Sequence, residues 1–389
     1  MRRHAATTIR KPLAQPSLSR LALLVPAACL ALGASSTLSQ SPQRVQFLSF
    51  NHFPSLRKSS SADKIVLTSP EIRTPIKFDE LVASWNVQLP PTAALEIQAR
   101  PIYKAGDGAG DRPAKFYTMG IWAGDPTISP RQSVLKQKDE NGHVSTDTLK
   151  LSAPSGGVQL RLILSGGNAG KTRLKFLGIC LTDTRIETKS EPPNKAAWDK
   201  LIPVPERSQM KYENGNVLCS PATVSMLLAY WSEKLHRPEL DHDVPEVARQ
   251  VYDPNWEGAG NWPFNTAFAG SFEPLRAYVT RLSLPELEAW IAQGFPVGLS
   301  VCYNKLRGKT GPFSGHLVVC VGFTKDGDPI INDPGTSRNV RKTFTRENLI
   351  AAWACSKNTV YLVYPKNAKL PKDKFGHWDS PKARRIASW

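Results

Sequence analysis

The sequence of 389 residues lacks several patterns that mark large classes of protein. Its six cysteines include no Cys-x-x-Cys pair, and no group of Cys and His has zinc-ligand spacing, so neither a structural metal nor a cofactor is expected. After residue 35 there is no apolar run of about 18 residues, which argues against a transmembrane span in the mature chain. No zinc finger, RNA-binding signature or basic helix is present, so specific nucleic-acid binding is not expected.

Acidic residues are scarce relative to basic ones, with 33 Asp and Glu against 50 Lys and Arg. The net charge is +17, and it falls to +12 when the first 35 residues, with five bases and no acid, are set aside. Such a surface can attract a polyanion or an acidic glycan without identifying either. Hydrophobic residues make up 41% and charged residues 21%, which is typical of globular proteins. The length predicts two or three domains.

The first 35 residues have the pattern of a secretory signal peptide. A basic leader is followed by an apolar run over 21–32 and then by small residues. The apolar run is too short to span a bilayer comfortably. We therefore expect a cleaved signal and a secreted or periplasmic protein, with an uncleaved anchor as the alternative.

Composition and periodicity divide the rest of the chain. Short stretches of alternating apolar and polar residues, separated by glycine-rich turns, predict an all-β sandwich. A Pro-rich polar segment follows, which is typical of a linker, so we expect the second domain to fold alone. The C-terminal residues carry seven bases and two acids, and we expect a loosely ordered tail or a polyanion-binding arm. The predicted boundaries are signal 1–35, spacer 36–74, β-sandwich 75–187, linker 188–200, second domain 201–365 and basic tail 366–389.

The segment Cys219-Ser220-Pro221-Ala222 precedes a run of apolar and small residues that predicts a buried helix. Ser220 is a good N-cap and Pro221 suits the first helical position. Cys219 is thereby placed just before a helix N-terminus, whose free N–H groups and partial positive charge favour the thiolate. A nucleophile is one interpretation, and a small buried cysteine at a helix start is the other.

A histidine and a carboxylate follow on a predicted hairpin. The strand over 315–323 begins next to His316, and a Lys-Asp-Gly-Asp turn returns the chain to Asp333. A tight two-residue turn would place Asp333 opposite Cys320, about 13 Å along the strand from His316. Contact therefore requires a wider turn, a bulge or strand coiling, and the sequence leaves this open. With Cys219 upstream, the pattern favours a Cys-His-Asp triad.

These residues give residues 201–365 a resemblance to papain-like cysteine peptidases related to bacteriocin-processing, double-glycine-leader peptidases. Four blocks carry the resemblance: Ile202-Pro203-Val204-Pro205 with Ser208-Gln209, Cys219-Ser220-Pro221-Ala222, Gly315-His316-Leu317-Val318-Val319, and Asn332-Asp333-Pro334. The preceding strands resemble, more weakly, the β-domain found before such peptidases in some exported proteins. The fold implied is α+β, a papain-like domain behind an all-β sandwich.

The resemblance also implies a role for each site residue. Cys219 would be the nucleophile and His316 the general base and later acid. Asp333 would orient the imidazole, and Gln209 would donate to the oxyanion. At Ser220 the sequence departs from the glycine that many relatives have after the cysteine.

The resulting expectation is an exported cysteine peptidase that acts on peptides or proteins through a thioester. An amidase or transglutaminase-like enzyme with the same triad is an alternative, and a non-catalytic surface-binding protein is another. The loop over 256–265 either lines a substrate cleft, with Trp262 and Asn265 binding substrate, or packs beneath the fold. Cys302 and Cys320 lie on predicted strands, and they either form a disulfide or remain free.

Overall fold

The computed structural model describes residues 44–53, 56–61, 63–104, 114–187 and 191–386. The predicted signal peptide lies outside these residues. Within them, no helix combines the length and the apolar character that crossing a membrane requires.

The N-terminal half of the described chain is all β. Its strands form a ten-stranded sheet with the order β1-β10-β4-β9-β3-β2 along its main path. β5 and β8 also pair with the long strand β9, and β6 and β7 pair in turn with β5 and β8, so all four join the same sheet. The strands are β1 (Val45–Phe50), β2 (Arg57–Ser60), β3 (Lys64–Thr68), β4 (Ile72–Gln88), β5 (Ala93–Ile102), β6 (Tyr117–Ala123), β7 (Lys138–Asp139), β8 (Gly142–Ser145), β9 (Thr148–Gly166) and β10 (Arg173–Thr182).

The predicted spacer over 36–74 is wrong for its described part. β1, β2 and β3 lie within it, and β1 pairs with β10 along its whole length. Every residue of β1 is buried, so the strand has no polar face and shows no alternation in the sequence. The all-β region therefore begins about thirty residues earlier than the sequence pattern indicated.

The second half is α+β, as predicted. A seven-stranded antiparallel sheet has the order β12-β17-β13-β14-β15-β16, with β11 paired to β14. The strands are β11 (Lys200–Leu201), β12 (Leu275–Arg281), β13 (Val297–Cys302), β14 (Gly315–Phe323), β15 (Pro329–Asn332), β16 (Arg341–Thr343) and β17 (Thr359–Pro365). The helices are α1 (Cys219–Leu235), α2 (Val244–Val251), α3 (Trp262–Ser271), α4 (Leu284–Ala292), α5 (Tyr303–Leu306), α6 (Arg346–Trp353) and α7 (Pro381–Ile386).

Helix α1 is the centre of the second half. Its residues 220–232 are all buried, and the helix packs against β13, β14, α2 and α3. A helix with apolar or small residues on every face has no polar face to expose to water. Its stability comes from packing against neighbouring elements on all sides. The first residue of this rigid element is Cys219.

The two halves share a polar interface at the free edge of β12. The Asn86 amide donates to the Ala277 carbonyl at 2.7 Å and accepts from the Ala277 N–H at 3.1 Å. Ser84 Oγ accepts from the Val279 N–H at 3.0 Å. These bonds satisfy backbone groups that an exposed edge strand leaves open. The described residues accordingly belong to one compact unit, which argues against the expectation that the second domain folds alone.

The described part of the C-terminal segment, residues 366–386, packs against the all-β region, contrary to the expected loose tail. The Phe47 N–H donates to the Gly376 carbonyl at 2.7 Å, and Trp378 is fully buried. Asp379 accepts from Ser49 Oγ and from Arg276 Nη1, each at 2.6 Å. The excess of basic residues favoured the prediction of a loose tail, but the few apolar and acidic side chains of this segment make the contacts that hold it.

Candidate active site

Helix α1 begins at Cys219, with Leu218 in the capping position. The first i to i−4 hydrogen bond runs from the Ala222 N–H to the Leu218 carbonyl, so the N–H groups of Cys219 and Ser220 precede the helical ladder. The prediction that Ser220 caps the helix is wrong. Its hydroxyl is buried and lies 2.8 Å from the Tyr361 hydroxyl, so the extra bulk relative to glycine points into the core.

Two irregularities in the β14–β15 hairpin bring Asp333 to His316. The connection spans residues 324–328, which is wider than a two-residue turn, and a bulge lies between Cys320 and Gly322. Together they shift the register by two residues, so that Val319 lies opposite Asn332. His316 Nε2 is then 2.8 Å from Asp333 Oδ1. Of the three routes to contact that the sequence left open, the structure uses the wider turn and the bulge.

Asp333 accepts three hydrogen bonds in addition to being buried. His316 Nε2 and the Gly335 N–H, at 2.9 Å, both meet Oδ1, and the Tyr303 hydroxyl donates to Oδ2 at 2.8 Å. The Tyr303 ring also lies over the imidazole, with centroids 4.1 Å apart and a tilt of 34°. Tyr303 thus holds both members of the His-Asp pair, and sequence reasoning missed it because no motif links it to either.

The titration behaviour of the three groups follows from these contacts. Burial favours the neutral thiol, but the hydrogen bond and charge of His316, helped by the Leu317 and Ser220 N–H groups, hold the pKa of Cys219 below its usual value. Burial disfavours the imidazolium, yet Asp333 and Cys219 raise the pKa of His316 to about 9. Burial opposes ionisation of Asp333 as well, and its donors nevertheless lower its pKa. Both shifts favour the thiolate–imidazolium pair over the neutral pair.

Because Asp333 takes Nε2 of the imidazole, Nδ1 is the nitrogen left to face Cys219. The carboxylate therefore fixes the ring orientation, and the ring presents its other nitrogen to the thiol. The arrangement has the geometry that a nucleophile, a base and an orienting group need for acyl transfer.

Gln209 lies beside both ends of this arrangement. It opens a short 3-10 helix, and its N–H donates at 3.0 Å to the carbonyl of Pro334, the residue after Asp333. The next short helix, Gly215–Val217, packs against it and leads directly to Cys219. The Gln209 side chain is buried, and its Oε1 has no hydrogen-bond partner among the described residues. Its role as oxyanion donor stays a prediction.

A cleft of about 620 Å³ opens at Cys219 and His316. One part of its lining comes from the second half, including Trp256, Trp262 and Phe313. Another part comes from the β-region, namely Glu80 on β4 and the residues around the β8–β9 turn. The cleft therefore has walls from both halves of the chain.

The two predicted substrate-binding residues have different environments. Trp262 lines the cleft at the start of α3. Asn265 is 0% exposed, and its amide donates to the Ala259 and Asn261 carbonyls at 2.7 and 2.9 Å. The assignment of Asn265 to substrate binding is therefore wrong. On the helix it lies one turn after Trp262 and faces the loop behind it.

The β-region contributes charged residues to the cleft that no sequence motif indicated. Glu80 accepts from Arg281 at 2.8 Å and from Lys357, and all three line the cleft. Asp147 accepts from the Trp262 N–H at 3.0 Å, which docks the β8–β9 turn on α3. Burial raises the pKa of Asp147 to about 6, although Trp262 and Thr148 donate to it.

Every cysteine among the described residues is free, Cys219 included, so the possible Cys302–Cys320 disulfide is wrong. In the β13–β14 register Cys302 faces Gly315 while Cys320 faces Val297, which separates them by five residues along the strands. Cys355 lines the cleft, but burial and Cys302 raise the pKa of its thiol. Among cleft residues it offers a natural comparison for Cys219.

Comparison with known families agrees with the fold and the site. Residues 201–361 match the family described as "Peptidase_C39 like family". These residues form a Peptidase C39-like domain. Residues 51–181 match the "Peptidase C39 N-terminal domain", so the C39-like domain follows the β-region with which its family is paired. The resemblance to bacteriocin-processing peptidases behind a β-domain is confirmed.

More distant comparisons add nothing to this assignment. No curated protein matches the chain. One similar solved structure is described as "Structural basis for the promiscuous specificity of the carbohydrate-binding modules from the beta-sandwich super family". It is 13% identical, and the match covers 37% of this chain and 54% of that chain, about half its length, with a TM-score of 0.17. A superposition this poor supports no inference about the C39-like domain or the β-region.

Proposed function

We propose that the protein is an exported cysteine peptidase that hydrolyses peptide bonds through Cys219, His316 and Asp333. The observation that carries the proposal is the His316–Asp333 hydrogen bond of 2.8 Å beside a cysteine whose thiolate the same histidine stabilises. A buried histidine with a merely structural role needs no nucleophile at the start of a helix. Membership of a cysteine-peptidase-like family supports the same conclusion.

The reaction follows from the roles of the groups. Cys219 Sγ attacks the peptide carbonyl carbon and forms the C–S bond, while the Cys219 N–H and Gln209 hold the oxyanion. The imidazolium of His316 gives its Nδ1 proton to the leaving amine as the C–N bond breaks. Neutral His316 then takes a proton from water as the water attacks the thioester, and when the C–S bond breaks the carboxylic acid leaves and the thiolate–imidazolium pair is restored. Asp333 keeps Nε2 engaged throughout.

Export and surface contacts belong to the same proposal. The basic, apolar and small-residue order of the first 35 residues supports secretion or periplasmic delivery. The net charge of +12 for the remainder supports contact with a polyanion or an acidic glycan, in addition to binding of the peptide or protein substrate.

Product analysis with the mature chain tests the peptidase assignment. We expect new α-amino termini when wild-type protein is incubated with a mixed peptide library, and none with Cys219→Ala. Cys355→Ala is the matched control, because Cys355 lines the same cleft and lies outside the triad. It should retain turnover.

Other products would contradict the proposal in distinguishable ways. Ammonia release with cross-linked amines would indicate a transglutaminase-like transfer. Cleavage confined to cell-wall peptides at an amide would indicate an amidase. Binding without any product, in the presence of a folded triad, would favour a non-catalytic surface protein.

A further inference from the structure

Three apolar side chains that line the cleft beside Cys219 are exposed to solvent. Val217 is 57% exposed, Trp256 44% and Phe313 71%, and all three line the cleft. Leaving such side chains in water forgoes roughly 25 cal/mol for each Å² of apolar surface. Several exposed apolar residues that line one cleft favour a binding surface there.

The Trp256 indole is held in place. A Cβ on Gly258 would lie 2.8 Å from the Trp256 ring, and one on Gly260 would lie 2.7 Å from it. The indole therefore rests directly on the backbone at two positions that only glycine permits. Its other surface remains open to the cleft.

The loop that carries Trp256 is rigid for a reason visible in its hydrogen bonds. Asp253 and Gly258 exchange backbone bonds of 2.9 and 3.2 Å across the turn. The buried Asp253 carboxylate accepts from the Asn255 N–H, from Asn261 Nδ2 and from the Ser133 N–H of the β-region. A side chain fixed before binding loses little entropy when a ligand arrives.

We propose that Trp256, together with Phe313 and Val217, forms an aromatic platform that binds a large apolar side chain of the peptide substrate close to the cleaved bond. The platform is defined by these three residues, and the preferred side chain is aromatic or branched aliphatic. This inference rests on the proposed peptidase function and specifies its substrate class. An aromatic residue offers a large contact area and favours edge or offset contacts with another ring.

The test uses matched sets of tripeptidyl vinyl sulfones. Each set varies one position of the tripeptide and contains three probes, with Phe, Leu or Ala at that position. The second-order rate of Cys219 modification is measured in the mature chain. At one position we expect Phe and Leu probes to react about tenfold or more faster than the Ala probe, the discrimination an apolar subsite provides. Trp256→Ala should reduce that ratio to about threefold or less. Iodoacetamide, which has no side chain to place, should react at the same rate in both proteins.

Tyr252→Ala is the matched control, since Tyr252 is an exposed aromatic residue on the preceding helix end and is not among the residues that line the cleft. It should keep the full Phe-to-Ala ratio. Equal rates for all probes in wild type, or an unchanged ratio in folded Trp256→Ala, would overturn the platform.

Failure of the peptidase proposal is distinguishable from failure of the platform. If iodoacetamide does not select Cys219, the nucleophile assignment fails, and the platform is decided by calorimetry of the corresponding peptide amides with Cys219→Ala. Tighter binding of the Phe and Leu amides that is lost on adding Trp256→Ala supports the platform, and equal binding of all three overturns it.

Discussion

At the scale of single residues, the site depends on how Asp333 divides its two oxygens. One oxygen holds the imidazole and the Gly335 N–H, and the other accepts from Tyr303. Burial and Asp333 raise the pKa of Tyr303, so its hydroxyl stays protonated and continues to donate. The carboxylate thereby stays ionised in a buried position and stabilises the His316 imidazolium.

The triad variants should rank by role. Cys219→Ala and His316→Ala should each abolish turnover, because nucleophile and base act as a unit. Asp333→Asn should leave measurable activity, since an amide oxygen still accepts the imidazole N–H. Gln209→Ala should lower kcat roughly 100- to 1,000-fold with little change in KM, the effect of losing an oxyanion donor. Steady-state kinetics with circular dichroism measures this, and normal turnover in folded His316→Ala would remove the general base.

The pH dependence should carry the signature of the same pair. Activity requires thiolate and imidazolium together, so it should rise as Cys219 ionises, at a lower pH than an ordinary thiol, and fall near pH 9 as His316 loses its proton. Asp333 raises the pKa of His316, so Asp333→Asn should move the falling limb to lower pH. Profiles of kcat/KM against pH measure both, and an unchanged falling limb would contradict the assigned cause.

Tyr303→Phe should move the falling limb of the pH profile in the direction opposite to that of Asp333→Asn. The substitution keeps the ring over His316 and removes one donor from Asp333, which leaves more of the carboxylate's charge for the imidazolium. The falling limb should move to higher pH, and kcat should fall about tenfold, the low end for a bond to a charged group because two donors remain. A purely structural Tyr303 would alter stability without moving the limb.

At the scale of elements, the turn after β15 brings Gly335 against the His-Asp pair. A Cβ there would lie 2.9 Å from the Tyr303 hydroxyl oxygen and 3.1 Å from His316 Nε2. Gly335→Ala should displace both groups and reduce kcat about 10- to 100-fold, as small misplacements of catalytic groups do. Gly170→Ala is the control, because a Cβ at Gly170 meets no atom within 4 Å. Equal activity of both variants would show that the turn tolerates the extra carbon.

The β8–β9 turn docks on α3 through Asp147, and this contact should respond to pH. Burial raises the pKa of Asp147 to about 6, so the folded state binds a proton that the unfolded state has released. The stability contribution is present below about pH 4 and is lost as the pH rises to about 6. Asp147→Asn, which still accepts the Trp262 N–H, should therefore be more stable than wild type at pH 7 by up to about 3 kcal/mol and should be equal near pH 3. Urea unfolding at the two pH values measures the difference, and equal stability at pH 7 would contradict it.

Local sequence patterns were sufficient for some elements and not for others. The buried helix after Cys219 and the strand at His316 follow from their apolar composition, whereas the predicted cap at Ser220 is wrong because Leu218 takes the capping position. The His316–Asp333 contact depends on a bulge and a wide turn, which periodicity cannot place. The contribution of Tyr303 depends on packing between strands distant in sequence. Local pattern therefore pointed to Cys219, His316 and Asp333 as candidates, and tertiary contacts determined what surrounds them.

At the scale of the whole molecule, the β-region is part of the structure that forms the site. Its Asn86 and Ser84 cover the edge of β12, and Trp85 and Trp122 pack edge-on against Phe264 of α3 with ring centroids 6.0 and 5.6 Å away. These contacts join residues more than a hundred positions apart, so the sequence pattern suggested two independent domains. The domain boundary near residue 200 stays a prediction. In the structure, one cluster of buried apolar side chains extends across this position.

A fragment that starts at Ala197 should therefore fail to fold cooperatively, and the intact mature chain should unfold in one transition. Asn86→Ala leaves the buried N–H and carbonyl of Ala277 without partners and should cost roughly 2 to 4 kcal/mol. Gln88→Ala, at the exposed end of the same strand, is the control and should change little. Thermal unfolding followed by near-ultraviolet circular dichroism and by activity measures this. A stable, active fragment would restore the two independent domains.

The central claim is that Cys219 is a thiolate made reactive by His316, and the most direct measurement is site-resolved alkylation. The mature protein is treated with limiting iodoacetamide between pH 5 and 9, and the rate at each of the five cysteines is obtained by mass spectrometry. We predict that Cys219 reacts fastest, that its rate is already high well below pH 8, and that His316→Ala returns its pH dependence to that of an ordinary thiol. Alkylation spread evenly over the thiols, or confined to Cys302 or Cys355, or unaffected by His316→Ala, would contradict the account.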